Sequence, residues 1–252
     1  MKKYIVIAFV LLLLLALVAC GQENAVLGTT QVYDVTSDIQ SLEIRLNAAD
    51  FQIEHAAEFS VESNLKYLSV SEKDGVLTII DRAPGDGNYS NARLTLYIPS
   101  ETVFENVDIE TGAAKLTADA LSAKALELEL GAGDVRFACL NVSSYVEING
   151  GASQLTVVDG SLNNLSLEMG VGEANLTVAL LGNSDLEFGI GESNLTLLGS
   201  KDDYRVDFEK GLGVLRIDGE EVLSSSFGTG QNHIHIEGGV GEVNLAFREG
   251  SG

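Results

Sequence analysis

The chain has no tryptophan, two prolines, two cysteines and three histidines among 252 residues. It is also poor in cations: 15 lysines and arginines against 37 acidic residues leave a net charge of −22. A general nucleic-acid binder needs a basic stripe to displace counterions, so nucleic acid is excluded as a partner. The same imbalance argues against electrostatic adhesion to an anionic membrane. It keeps the body soluble and off the bilayer. Catalytic signatures are missing as well. Neither Gly-x-Ser-x-Gly nor His-Glu-x-x-His occurs, and Gly170-Val-Gly-Glu lacks the third glycine and the helix of a dinucleotide site. After the first twenty residues no stretch of ten or more carries a helical stripe.

What is present begins with an address. Lys2 and Lys3 precede an unbroken apolar run, Tyr4 to Leu15, which ends in Leu17-Val18-Ala19-Cys20-Gly21. The run is slightly short for a transmembrane span and carries a cleavage pattern at its end. A leucine three residues before a cysteine, with small residues around the cut, resembles the lipobox of bacterial lipoprotein signal peptides. That resemblance implies removal of residues 1–19 and diacylation of Cys20 as the new N-terminus. The mature chain would then be extracytoplasmic and anchored to the cell membrane by lipid, since two acyl chains hold where one binds only marginally. Residues 20–31 read as a lipidated tether that reaches roughly 35 Å when extended. With Cys20 consumed, Cys139 stands alone. It follows Val135 and Phe137 in alternation and is expected to be buried and inert.

The dominant pattern is a repeat. Gly170-Val-Gly-Glu-Ala-Asn-Leu-Thr-Val178, Gly189-Ile-Gly-Glu-Ser-Asn-Leu-Thr-Leu197 and Gly239-Val-Gly-Glu-Val-Asn-Leu-Ala-Phe247 are nearly copies, with weaker versions at Asn47, Gly112, Gly131, Gly151 and Gly211. From Gly112 to Gly189 the starts fall 19, 20, 19 and 19 residues apart. Such a period marks one supersecondary unit stacked on itself. Within a unit, Leu165, Leu167 and Met169 alternate inward, a glycine pair turns the corner, and Ala174, Leu176 and Val178 alternate inward again. Two strands and a return in one period cannot bury a face alone, so the prediction is all-β: a parallel β-solenoid of coils about 19–20 residues long. An antiparallel β-sandwich is the alternative. Structural turn positions are Gly131, Gly133, Gly170, Gly172, Gly189, Gly191, Gly239 and Gly241.

Two breaks interrupt the period. Residues 32–111 are expected to form an N-terminal β region that caps the column, with Lys73-Asp74-Gly75 as a hairpin turn. Residues 112–248 are the repeats, continuous with the cap as one domain. The second break spaces the last two copies, Gly211 and Gly239, 28 residues apart, and Ser224 to Gln231 reads as a surface loop there.

Stacking would align the residue two before each turn: Glu110, Glu129, Asn149, Glu168, Glu187, Glu209 and Glu237, neighbours about 4.8 Å apart. A second acidic series, Asp134, Glu173, Glu192 and Glu242, follows the turn. Like charges opposite one another destabilise a sheet, so the series is either a solvated face or a recruiter of cations. Calcium accepts oxygen ligands in variable geometry, and Glu168, Glu187, Glu173 and Glu192 are the candidate ligands; no other cofactor is implied. Asn175, Asn194 and Asn244 form an outward column suited to amide stacking. His233, His235 and Glu237 alternate on one strand face, but a flat strand does not converge metal ligands. A polysaccharide-acting β-helix enzyme would need two carboxylates at a defined gap in a cleft and, commonly, aromatic platforms.

Repeated Gly-x-Gly-[Asp/Glu]-x-x-Leu turns on a lipid-tethered body resemble the putative-adhesin family of bacterial envelope proteins, also called DUF4097 and related to toast-rack domains. The resemblance spans roughly Asp38 to Phe247. It implies a β-solenoid body displayed at the cell envelope. With the lipobox, the repeats and the missing catalytic motifs, the expectation is a non-enzymatic interaction or scaffold module acting on an envelope protein or glycan and linked to envelope-stress signalling. No functional residues come with the resemblance.

Overall fold

The computed structural model describes residues 26–84, 87–222 and 225–249. The predicted signal peptide, Cys20 and the start of the tether lie outside them. Among the described residues every element is a strand except a single 3-10 turn, Lys201–Asp203. No helix among them is long and apolar enough to cross a membrane.

The N-terminal part comprises β1 (Leu27–Asp34), β2 (Ser41–Ala56), β3 (Ser60–Leu65), β4 (Leu68–Lys73), β5 (Val76–Asp81) and β6 (Arg93–Pro99). The regular repeats lie on β7 (Phe104–Val157), β8 (Gly160–Asn163), β9 (Leu165–Leu181) and β10 (Asn183–Leu198). Then follow β11 (Tyr204–Lys210), β12 (Val214–Ile217), β13 (Glu220–Glu221), β14 (Ser226–Gly228) and β15 (Asn232–Arg248). β1 begins inside the segment read as a tether, because its residues pair antiparallel with β3, Val32 opposite Glu62.

The repeats pair like on like. β9 and β10 run parallel with Glu168 opposite Glu187, Gly172 opposite Gly191 and Leu176 opposite Leu195. β10 and β15 continue the same register, with Leu195 opposite Leu245. This is the parallel stacking that one repeat per coil demands, and it replaces the antiparallel sandwich for these segments. The inward positions read from the alternation are buried: Leu165, Leu167, Met169, Ala174, Leu176 and Val178 all belong to one core. Each large aliphatic so buried contributes roughly 1.5–3 kcal/mol. Among the described residues the buried core runs from Val26 to Leu245.

The order of the coils departs from the sequence at both ends. β15 lies between β10 and β11, so the last copy is inserted one layer inside the copy that precedes it. At the other end β2 lies between β7 on one side and β5 and β6 on the other. Each outermost coil is thus an internal stretch of chain. Short antiparallel strands then cover the ends: β4 on β5, β3 on β6, β13 on β12 and β14 on β11. Such pieces blunt edges that would otherwise template foreign strands. β14 lies within the segment read as a loop, and its residues Ser226 to Gly228 form that cover. The hairpin at Asp74 and Gly75 is as expected, with φ of 51° and 77° and Lys73 opposite Val76.

Cys139 differs from expectation: it is half-buried, and Asn141 Nδ2 donates to its Sγ at 3.3 Å. The inward alternation Val135–Phe137 resumes at Leu140 and Val142, so one extra residue slips in there and moves Cys139 off the core face.

Candidate functional site

The corner of the coils gathers the chemistry. Its two glycines do different jobs. The first, as in Gly189, lies where a Cβ would meet the carbonyl of Gly170 in the next coil, and the same holds for Gly131 on Gly112 and Gly170 on Gly151. The second adopts a backbone that L-residues resist, with φ of 146° at Gly172, 150° at Gly191 and 145° at Gly241. Close approach and unusual φ together explain why Gly-x-Gly recurs.

Before the corner, the acidic series stacks as predicted, with its end rearranged by the insertion of β15. Asn149 faces Glu168, Glu168 faces Glu187, Glu187 faces Glu237, and Glu209 comes last beside Glu237. The other end is closed by a cation. Arg45 stands opposite Glu110, reaches its carboxylate at 3.1 Å and grips Asp108 with two hydrogen bonds of 2.6 Å. After the corner, Glu173 faces Glu192, and Glu192 faces Glu242. Gln154 Nε2 donates to Glu173 at 3.0 Å, and Arg216 pairs with Glu242. The four candidate calcium ligands therefore fall in two in-register pairs on opposite sides of the corner. Among the described residues no three His, Cys, Asp or Glu side chains are grouped to hold a metal ion.

Two further columns complete the surface. Asn194 Nδ2 donates to Asn175 Oδ1 at 2.9 Å and Asn244 Nδ2 to Asn194 Oδ1 at 3.0 Å, so the amide column supports the stack. Four residues before each corner stands a third acidic column that sequence reasoning missed. Glu43 faces Asp108, Glu147 faces Ser166, and Asp185 stands between Ser166 and His235. Its signal was present, since Asp108, Glu127, Glu147 and Asp185 recur at the repeat spacing. Burial and the charges of Asp108, Glu147 and Glu129 push the Glu127 carboxyl up. A raised folded pKa penalises the ionised form, so the cost is present above that pKa and is relieved on acidification. Glu127→Gln is expected to stabilise the fold slightly at neutral pH, by under about 0.5 kcal/mol at so exposed a site. Melting curves across the carboxylate range should show the gain vanish at acid pH; an unchanged gain there would contradict the crowding.

His233 and His235 face Asp207 and Glu237 at 2.7 and 3.4 Å rather than each other. The His233 hydrogen bond, with Arg205 beside it, holds Asp207 below the usual carboxylate range. Ser63-Asn64-Leu65-Lys66 matches the Ser-x-x-Lys spacing, but Ser63 Oγ donates to Arg93 O at 2.7 Å and Lys66 sits over the Tyr67 ring. A polar cleft of about 350 Å³ between β2, β3 and β6 gathers Asp50, Glu54, Glu62, Arg93 and Tyr97. It arises because β6 pairs parallel with β2 and antiparallel with β3, which no local pattern announces.

A groove runs along the corner. One stretch of about 470 Å³ is lined by Glu110, Glu129, Asn149 and Glu168 over a floor of Gly131, Gly151 and Gly170. A second of about 240 Å³ continues from Glu168 and Gly170 to Glu187, Glu237 and Gly239. The middle residues of Gly-x-Gly project beside it. Val171, Ile190, Val240 and Leu212 are 52, 57, 49 and 87% exposed.

No family model matches the chain, and no curated protein matches it. Among solved structures it is similar to a putative adhesin from Bacteroides fragilis, with a TM-score of 0.54, 13% identity, and 86% of this chain and 96% of that chain covered. A putative adhesin from Parabacteroides distasonis aligns with a TM-score of 0.43 and 12% identity over 88% of this chain and 98% of that one. A putative cell adhesion protein from Clostridium sporogenes gives 0.35 and 15% over 87% and 99%. The first likeness shows the fold alone, an all-β architecture; the other two add nothing to it.

Proposed function

We propose that the chain is a non-enzymatic interaction module of the bacterial cell envelope, held outside the cytoplasm by lipid on Cys20 and presenting its stacked corner to an envelope protein or glycan. One observation carries the reading: like-on-like stacking turns a short motif into a continuous acidic and apolar strip across the coils. The lipobox at Leu17–Cys20 supports the anchoring, and the adhesin-like architecture agrees with display. Occupancy of such a strip, read by a neighbouring sensor, is how the module would serve envelope-stress signalling.

Cells producing the full chain should carry it in the membrane fraction and adhere to isolated envelope material. Cys20→Ala should release the protein and abolish adhesion, while the released body competes with displaying cells. Membrane retention of the variant would refute the anchor. Adhesion no better than that of cells lacking the protein would refute the module.

A further inference from the structure

The middle residues of the corners form one column. Ala152 faces Val171, Val171 faces Ile190, and Ile190 faces Val240. Leu212 follows Val240, because Lys210 is opposite Gly238 and Val214 opposite Glu242, and Leu212 N–H donates to Gly239 O at 2.8 Å. Toward the N-terminal end the same column carries the small exposed residues Ala113 and Ala132. The column therefore grows from methyl groups into a ridge of four bulky, exposed side chains. Contiguous exposed apolar surface of this kind marks a contact site.

The margins of the ridge identify the occupant. Carboxylates border it on both sides: Glu168, Glu187 and Glu237 across the glycine floor, and Glu173 and Glu192 after the corner. Among the described residues no cation pairs with Glu168, Glu187, Glu173 or Glu192. A second copy would set carboxylates against carboxylates, and an anionic bilayer would be repelled. The spacing narrows the choice further. Coils step by about 4.8 Å, and the apolar face of a helix, at i, i+3 or i+4 and i+7, recurs once per turn of about 5.4 Å. A helix lying along the groove would thus place successive apolar residues beside successive coils and set its cations against the glutamates. Four coils span about 14 Å, which roughly ten helical residues cover.

We propose that the ridge of Val171, Ile190, Val240 and Leu212, with its acidic margins, is a docking strip for a basic amphipathic helix of a partner protein. The proposal rests on the interaction-module reading and names the partner's chemistry. It is tested on the body from Gly21 onward, which contains every buried core residue among the described residues, with a fluorescent leucine–lysine peptide patterned at helical spacing. Binding should be saturable. It should weaken at least tenfold in the exposed-site double variant Ile190→Ser with Val240→Ser, and likewise in Glu187→Gln with Glu237→Gln. The charge-matched variant Glu54→Gln with Glu62→Gln, in the N-terminal cleft, should bind as the parent does. Unchanged melting curves establish that the variants fold.

Equal binding of a scrambled peptide of the same composition, or of the Ile190→Ser/Val240→Ser variant, would reduce the effect to diffuse charge and overturn the proposal. So would self-association or vesicle binding that those serine substitutions abolish. If displaying cells that carry the serine variant still adhere to envelope material, the docking strip fails and the module stands. If the parent does not adhere, the module reading fails too.

Discussion

Gly191→Val should cost on the order of 4 kcal/mol and lower the melting temperature by roughly 8–16 °C for a body of this size. Two separate faults add. Valine at φ 150° occupies a backbone region that belongs almost entirely to glycine. Its Cβ would also press into the Gly172 carbonyl of the adjoining coil, a backbone atom that cannot swing away. Because Gly241 stands against Gly191 in turn, a shift at one corner is passed to its neighbour. The comparison that isolates the mechanism is Ile190→Ala, one residue earlier and 57% exposed, which should move the transition by no more than about 2 °C. Similar melting of Gly191→Val and the parent would mean that the corner is not the strained close contact described above.

Deleting β15, by ending the chain after Gln231, should have the largest effect. The strand supplies the buried Ile234, Ile236, Val243 and Leu245; at roughly 1.5–3 kcal/mol each their loss approaches the whole stability of an ordinary domain. The damage should also be local in a telling way. β11 and β12 take their parallel partner from β15 and not from β10, so residues 199–231 would be left without a sheet to join. Limited proteolysis and hydrogen exchange should find that segment unprotected in the truncated chain while the coils around Leu128 and Ile148 keep slower exchange. Protection of residues 199–231 equal to that in the full chain would refute the inserted arrangement.

The contrast between what was legible and what was not follows from the range of the interactions. The inward face of β9 was readable because period-two alternation is a local property of a pleated strand. So were the glycine corners and the amide column, since identical residues at a fixed period must meet if coils stack. The order of the coils was not readable: Leu195 faces Leu245 rather than a residue of the Gly211 copy, and that choice is made between segments tens of residues apart. The register slip at Cys139 escaped for the opposite reason, a single inserted residue being invisible to a pattern that resumes correctly at Leu140. The third acidic column was visible at the right spacing and was overlooked because it lies four residues from the glycines that drew attention. The apolar ridge was hidden in plain view. Val171, Ile190 and Val240 read as part of a turn motif, and only stacking makes a surface of them.

The placement of β15 also sets a clock. A polypeptide made from its N-terminus outward, or threaded through a membrane in that order, would present Tyr204–Ile217 before the strand that must lie beneath it exists. Those residues cannot simply settle on β10, because that would fill the place reserved for Asn232–Arg248. Residues Tyr204–Ile217 therefore have to wait, or form and undo a wrong pairing, until the final seventeen-residue strand arrives. Long-range pairing of this sort is slow and leaves edges exposed while it is incomplete. Maturation of the body is thereby tied to delivery of its last strand, and a chain stalled short of it would carry an open slot that another copy's β15 fits.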